Sequence, residues 1–345
     1  MIPDQMPAAV YIGDGEMAVR RLPVPRPGPH EVLVEVAQCG ICGSDLHLVL
    51  ERYARAGTVL GHEWAGTVVD TGAEVTGWEV GARVVSNPTG GCGRCRPCRR
   101  GRPSVCLARP PADYFSFGGA FCPYLVVGAD RLLRLPDTLS TRDAALTEPT
   151  AIAIHTANLS GVESGDRVLV TGAGPVGLLM VAVLRARGVT DITVSEPSPA
   201  RRAKATAVGA TAVVTPDQFT VPAMGRTVDE PFAVAFECSG RSTAAEAALD
   251  QLDFGGTLVF VGTGHDLPRV NHNRMIVLEL SVIGAYNYEA DGFRPALELL
   301  ASGLVPTELL IEPDDVTLNV VGDTMARLAR GEIAGKVLVR PEVGS

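Results

Sequence analysis

Aromatic side chains are scarce, at 5% of 345 residues, whereas glycine is plentiful at 38. That balance fits an α/β protein with many turns. Positive charge is also short. Thirty Lys and Arg against 39 Asp and Glu leave a net charge of −9 and a pI near 5.2. A general nucleic-acid binder shows the reverse balance. The opening stretch, MIPDQMPAAVYIGDGEM, lacks a basic n-region and an apolar h-region, so no secretory signal is expected. The longest uncharged apolar run, residues 168–184, is broken by glycine and proline into a strand and a helix. It does not read as a membrane span. No internal repeat, low-complexity tract or long linker is visible. A soluble, cytoplasmic chain is expected, with 46% hydrophobic residues, enough for about two domains.

Against this acidic background, residues 91–106 read GCGRCRPCRRGRPSVC. Cys92, Cys95, Cys98 and Cys106 follow the pattern C-x2-C-x2-C-x7-C. A C-x2-C turn lets two sulfurs converge on one ion, and zinc takes four thiolates tetrahedrally at ~2.3 Å. The spacing favours a closed structural zinc site over an iron–sulfur cluster. Disulfides between such close neighbours would be strained, and a reducing cytosol disfavours them. A closed site has no open coordination position, so it stabilises and does not catalyse. Four thiolates on Zn2+ leave a charge of −2, which Arg94, Arg96, Arg99, Arg100 and Arg102 can offset. No aromatic residues are interleaved among them, which argues against nucleic-acid binding.

A second set of ligand-type residues lies in CGICGSDLHL (39–48), GHEWAG (61–66) and LTEPTAIAIHT. It comprises Cys42, His47, His62, Glu63 and Glu148. Alone, Cys42 would more often be a small buried hydrophobe. Together these residues can supply the three protein ligands and open position of a catalytic zinc.

The third signal is RVLVTGAGPVGLLMVAVLRARG, a strand, a tight turn and a helix. Gly172, Gly174 and Gly177 form a full G-x-G-x-x-G, with Pro175 and Val176 opening the helix. Gly172 permits the turn, Gly174 lets backbone approach a pyrophosphate, and Gly177 allows close helix–strand packing. Glu196 lies 24 residues beyond Gly172, the position of a ribose-binding carboxylate. It favours NAD over NADP, although Arg201 and Arg202 could build a phosphate pocket. Six strands, RVLVT, DITVSE, ATAVV, FAVAFE, GTLVFV and LSVIGAY, alternate with helical stretches and predict a doubly wound parallel sheet.

GICGSDLH, GHEWAG, the cysteine lobe, GAGPVG and GKVLVRP occur in the order seen in zinc-dependent medium-chain alcohol dehydrogenases, and the chain resembles that family along nearly its whole length. The resemblance implies an α/β protein: a Rossmann sheet plus a β-rich GroES-like catalytic domain carrying the zinc lobe. The expected boundaries are 1–150 and 288–345 for the catalytic domain and 151–287 for the NAD-binding domain, with the active site in the cleft between them. It implies two Zn2+ per chain and NAD as cofactor. Cys42 and His62 resemble the firm catalytic zinc ligands, and Glu63 a glutamate that can enter the coordination sphere. Glu148 stands where some members have a cysteine, and its TEP setting is similar to polyol, sugar and threonine dehydrogenases. Ser44 and His47 resemble the proton relay. Asp45 resembles the carboxylate that orients His62, or serves as a helix N-cap. Val261, Gly262 and Thr263 would face the nicotinamide. Gly43 replaces a pyrophosphate-binding arginine, for which Lys336 would substitute.

The expected reaction moves a hydride between NAD and a polar secondary alcohol, zinc supplying the Lewis acid. Homodimers or tetramers would pair through LSVIGAY. Alternatives are an NADPH-dependent carbonyl or enone reductase and a non-catalytic nicotinamide sensor; membrane and nucleic-acid partners are not expected. Trp64, Tyr53, Tyr114 and Phe117 are candidate pocket residues. Cys39, Cys122, Cys238 and His155 read as packed core, and His265 and His272 as loop residues.

Overall fold

The computed structural model describes residues 1–87, 90–108 and 119–342, in two compact units. The first holds residues 1–148, 289–302 and 311–345; the second holds 149–288 and 303–310.

In the first unit the strand Glu31–Gly40, EVLVEVAQCG, is the organiser. Its β-branched residues suit a pleated surface, and it is buried along most of its length. Glu63–Thr71 pairs with it antiparallel on one edge, and on the other Leu338–Val339 and Tyr124–Gly128 pair with different stretches of it. Arg83–Ser86 and Leu132–Arg134 extend the sheet beyond Glu63–Thr71. The hairpin Gln5–Gly13/Glu16–Pro23 stands beside it as a separate two-stranded sheet. Val32, Val34, Val36, Leu60, Val68 and Phe121 share one core.

The second unit is a six-stranded, wholly parallel sheet. Its order is Ala212–Val214, Asp191–Ser195, Arg167–Thr171, Phe232–Glu237, Leu252–Phe260 and Ser281–Gly284. The order reverses between Arg167–Thr171 and Phe232–Glu237, the crevice where such sheets take nucleotides. The helix Pro175–Ala186 follows the first of these and buries every residue from Gly177 to Leu184. A helix apolar all round must be covered on all sides.

Three details depart from the sequence reading. The fifth strand begins at Leu252, ahead of the expected GTLVFV, because Leu252 already pairs with Phe232 before a register shift. His272, expected in a loop, opens the helix His272–Leu278, which Asn271 caps by accepting from the Arg274 N–H. Residues 303–310, expected in the catalytic domain, join the second unit, where Thr307–Leu310 packs on the helices Pro175–Ala186 and Pro199–Val208.

Candidate active site

In the first unit, the turn after Glu31–Gly40 leads into the helix Gly43–Leu50, with Cys42 as its N-cap. Asp45 is the third helical residue, and its Oδ2 accepts from the Cys42 N–H at 3.0 Å. The expectation that Asp45 is the N-cap is thus corrected by three residues, since its carboxylate reaches back instead. Its Oδ1 lies 3.6 Å from His62 Nδ1, both groups being buried. One Asp45 oxygen thus ties the start of the helix, and the other faces the imidazole.

Gly61 aims His62. Its φ of +96° is a conformation natural to glycine, and a Cβ there would run into Cys39 Sγ and the Phe121 ring. Strand register does the rest. Gly40 faces Glu63 on one side and Leu338 on the other. Glu63 and Lys336 are therefore delivered to the same end of the sheet. Lys336 Nζ lies 2.7 Å from Glu63 Oε1 and 2.5 Å from Oε2, and donates to the Ile41 carbonyl at 3.2 Å. The pair is 2% and 1% exposed. This corrects the expected cofactor role of Lys336, because its ammonium is buried and engaged by these acceptors.

Cys42, His62 and Glu63 bring one ligand atom each within 4.8 Å of one another. Glu148, in the first turn of Thr147–Ser160, is buried nearby but stands outside that trio. Burial pushes its carboxyl up to about 7; His62 opposes the shift and Glu63 adds to it. For His62, burial disfavours the charged ring, but Asp45 and Cys42 outweigh it and raise the pKa well above the ordinary value. Burial likewise opposes the charge on Lys336, and Glu63 and Cys42 overcome it, holding its pKa high. A thiol, an imidazole and a carboxylate, with Asp45 behind the imidazole, form a donor set suited to zinc. Ser44 and His47 lie three apart on the same helix, so they share one face. His47 Nδ1 lies 2.6 Å from Glu51 Oε1. The sequence reading missed Glu51, which the i,i+4 spacing from His47 could have signalled.

Cys92, Cys95, Cys98 and Cys106 form the second cluster, and all eight cysteines of the chain are free of disulfides. Backbone N–H groups aim at the sulfurs: Cys92 N and Ala108 N donate to Cys106 Sγ, and Cys95 N to Cys92 Sγ, each at 3.4 Å. Such donors pull the pKa values of Cys92, Cys95 and Cys106 down, whereas burial and its cysteine neighbours push Cys98 up to about 11. Four convergent sulfurs, three of them already favouring the thiolate, fit zinc. Arg94, Arg96, Arg99 and Arg100 are exposed around it. Replacing Cys106 with Ser is expected to remove about one zinc per chain and to speed protease cleavage within 90–108 at least about tenfold. Metal analysis and timed proteolysis check both.

In the second unit, Gly172 takes φ +90° and donates its N–H to Ser195 O at 2.8 Å. A Cβ on Gly177 would collide with the Gly172 carbonyl, whereas a Cβ on Gly174 would meet open space. The packing and approach roles expected of these glycines are thus separable. Pro175 and Val176 are the first helical residues, so their end of the helix offers N–H groups to an anion. Glu196 is 4% exposed; its Oε2 accepts from Ala173 N at 2.9 Å and its Oε1 from Ser198 N at 2.8 Å. Arg202 Nη1 donates to Glu196 O and Pro197 O, each at 2.7 Å. Arg201 lies in the first turn of Pro199–Val208, its N–H directed to Ser198 Oγ. The turn Val261–Thr263 is held by Val261 N and Gly262 N donating to Glu237 O. The Glu237 carboxylate accepts from Ser239 N and Oγ and from Gly240 N. The sequence reading also missed this buried glutamate; its signal was a charge ending the apolar strand FAVAFE.

Of the remaining candidates, Trp64 is 5% exposed and belongs to the first unit's core, which corrects its pocket role; Tyr53 is exposed. Tyr114 and Phe117 lie outside the described residues. Cys39, Cys122 and His155 are buried, Cys238 is half-buried and His265 is exposed. Among the described residues, no helix is long and apolar enough to cross a membrane.

Comparison with known proteins agrees with this geometry. Residues 28–137 match the alcohol dehydrogenase GroES-like domain, and residues 175–302 match the zinc-binding dehydrogenase family. Sorbitol dehydrogenase of Bacillus subtilis (strain 168) is 35% identical, covering 94% of each chain. L-threonine 3-dehydrogenase of Xanthomonas euvesicatoria pv. vesicatoria is 35% identical over 78% of this chain and 80% of its own. A zinc-binding dehydrogenase from Sinorhizobium meliloti 1021, solved bound to NADP, superposes with TM-score 0.87 at 31% identity. It covers 98% of this chain and 100% of its own. With both halves matched and near-full-length relatives at this identity, the chain belongs to the zinc-dependent medium-chain alcohol dehydrogenase family.

Proposed function

We propose that this protein oxidises a polar secondary alcohol (a polyol, sugar, cyclitol or amino alcohol) to its ketone with NAD, and reduces the ketone in reverse. The observation that carries this reading is the convergence of Cys42, His62 and Glu63 beside buried Glu148. Cys42 and His62 would hold zinc, with Asp45 orienting the ring through Nδ1. Glu63 and Glu148 are the acidic groups within reach of the same site, Glu63 being restrained by Lys336. Bound zinc supplies a Lewis acid that lowers the pKa of an alcohol. Ser44 and His47 then carry the released proton toward water. A buried carboxyl such as Glu148 suits a substrate with further hydroxyl or amino groups, in keeping with the sorbitol and threonine relatives.

Cys92, Cys95, Cys98 and Cys106 would hold the second, structural zinc. Gly172, Gly174, Pro175, Val176 and Gly177 would receive the pyrophosphate, Glu196 the ribose, and Val261, Gly262 and Thr263 the nicotinamide. Two features support NAD. Glu196 is an acidic residue directly after the strand Asp191–Ser195, the place of a ribose-binding carboxylate, and Arg202 is directed at backbone carbonyls. The exposed edge strand Ser281–Gly284 supports pairing between two copies of the chain, as a homodimer or within a tetramer.

The test is nicotinamide absorbance with zinc-replete enzyme and a panel from ethanol and cyclohexanol to 2,3-butanediol, sorbitol, threonine and inositols. NADP is run in parallel, since one structural neighbour binds it. Turnover of polar secondary alcohols with NAD is expected, at least about tenfold above NADP in kcat/KM. Oxidation confined to apolar primary alcohols, or to NADP, sinks the reading.

A further inference from the structure

We propose that Glu51 is a positioning residue for proton transfer at His47. This deepens the reading above and rests on it, in that His47 must first be the relay. The two side chains sit four residues apart on one helix face, with Nδ1 and Oε1 at 2.6 Å. That separation is short for a nitrogen–oxygen hydrogen bond, at the close end where charge-assisted bonds fall. Both side chains are about one-third exposed, at 33% and 32%. The helix carrying them is pinned, with Leu48 and Val49 buried and its start tied by Asp45 to Cys42. One short helix thus bears a candidate zinc ligand at its cap, Ser44 in its first turn, His47 in its last and Glu51 at its end.

Helix stability does not account for the pair. A carboxylate at a helix C-terminus opposes the helix dipole, and an i,i+4 ion pair at this exposure returns an effect of similar size and opposite sign. The chemical consequence is larger. A carboxylate at Nδ1 fixes the neutral tautomer that carries its proton there, so the lone pair is on Nε2. A proton leaving the alcohol by way of Ser44 then forms an Nε2–H bond. The resulting imidazolium is stabilised by the adjacent carboxylate, and the ring returns to the same tautomer when the Nε2 proton passes to water. One proton leaves the alcohol, one reaches solvent, and no electrons move at Glu51.

The experiment compares Glu51→Gln, Glu51→Ala, His47→Asn and the His47→Asn/Glu51→Gln double variant. Each is assayed as full-length, zinc-replete enzyme with NAD and the fastest alcohol of the panel. His47→Asn is expected to lower kcat about tenfold or more. Glu51→Gln keeps an acceptor at Nδ1 but loses the charge, and lowers kcat about threefold; Glu51→Ala approaches the His47→Asn value. KM for the alcohol stays within about twofold, and the solvent deuterium effect on kcat rises. In the His47→Asn background, Glu51→Gln adds nothing, because the two residues act as one unit. Wild-type kcat in both Glu51 variants, with His47→Asn slow, overturns the proposal and leaves the relay standing. So does an equal loss in both backgrounds, which would place Glu51 elsewhere. A His47→Asn enzyme as fast as wild type removes the relay itself and the proposal with it.

Discussion

Replacing His62 with Asn is expected to lower alcohol oxidation at least about 10³-fold while the enzyme still binds NAD. The magnitude follows from the Lewis acid such a site supplies, worth several kcal/mol, at about 1.36 kcal/mol per tenfold in rate. The position is unforgiving for local reasons. His62 is aimed by a glycine at φ +96°, backed by Asp45 at 3.6 Å and set against Cys42, so a shorter side chain cannot reach the same point. Zinc analysis after dialysis separates the two metal centres. The variant should retain about one zinc per chain, held by the four-cysteine lobe, where the parent holds about two. Because the substitution also leaves Asp45 buried without its imidazole, Cys42→Ser is the companion variant, expected to lose the same metal with the imidazole and Asp45 intact. Two retained zinc ions with full turnover in both variants would rule out Cys42 and His62 as ligands.

The parts of this molecule legible from sequence are those in which the cause is local. The strand–turn–helix around Gly172 declares itself because backbone conformation, close packing and a helix N-terminus are specified within a few residues. The cysteine lobe is equally local, as its ligands fall within residues 92–106. The parallel sheet was readable from six apolar segments because strands buried on both faces leave unbroken hydrophobic runs. What escaped depends on register and on long-range docking. Lys336 and Glu63 are 273 residues apart, and the pairing of Gly40 with Glu63 and with Leu338, two residues beyond Lys336, brings them together. Residues 303–310 fall within the stretch expected to return to the catalytic domain, yet Leu310 is buried and their short helix packs with the second unit. Trp64 has the composition of a pocket residue, but it faces Cys39 across the strand pair and is consumed by the core. Composition cannot distinguish these outcomes, since side-chain direction along a strand reverses with a one-residue change of register.

Lys336→Met is expected to destabilise the protein by about 3–5 kcal/mol, the cost of leaving one member of a buried ion pair without its partner. Lys336 is one of only two lysines in the chain, and its whole side chain is spent at this one point. Removing it strands the Glu63 carboxylate at 1% exposure, next to a cysteine and the buried Glu148. For a unit of this size the thermal midpoint should fall by roughly 10 °C. Against the opposing effect of burial, Glu63 and Cys42 hold the Lys336 pKa above its ordinary value, so the contribution of the pair is present across pH 5–8 and is lost only as the pH rises through the raised lysine value. Glu63→Gln alone should also be destabilising, because it leaves the ammonium buried beside an amide. The double variant Glu63→Gln/Lys336→Met should recover much of the loss, since no unpaired charge then remains between these two positions. Midpoints of the four proteins across that pH range close the cycle. A Lys336→Met protein within about 0.5 kcal/mol of wild type at pH 8 would mean that the pair is solvated in solution and contributes nothing to the fold.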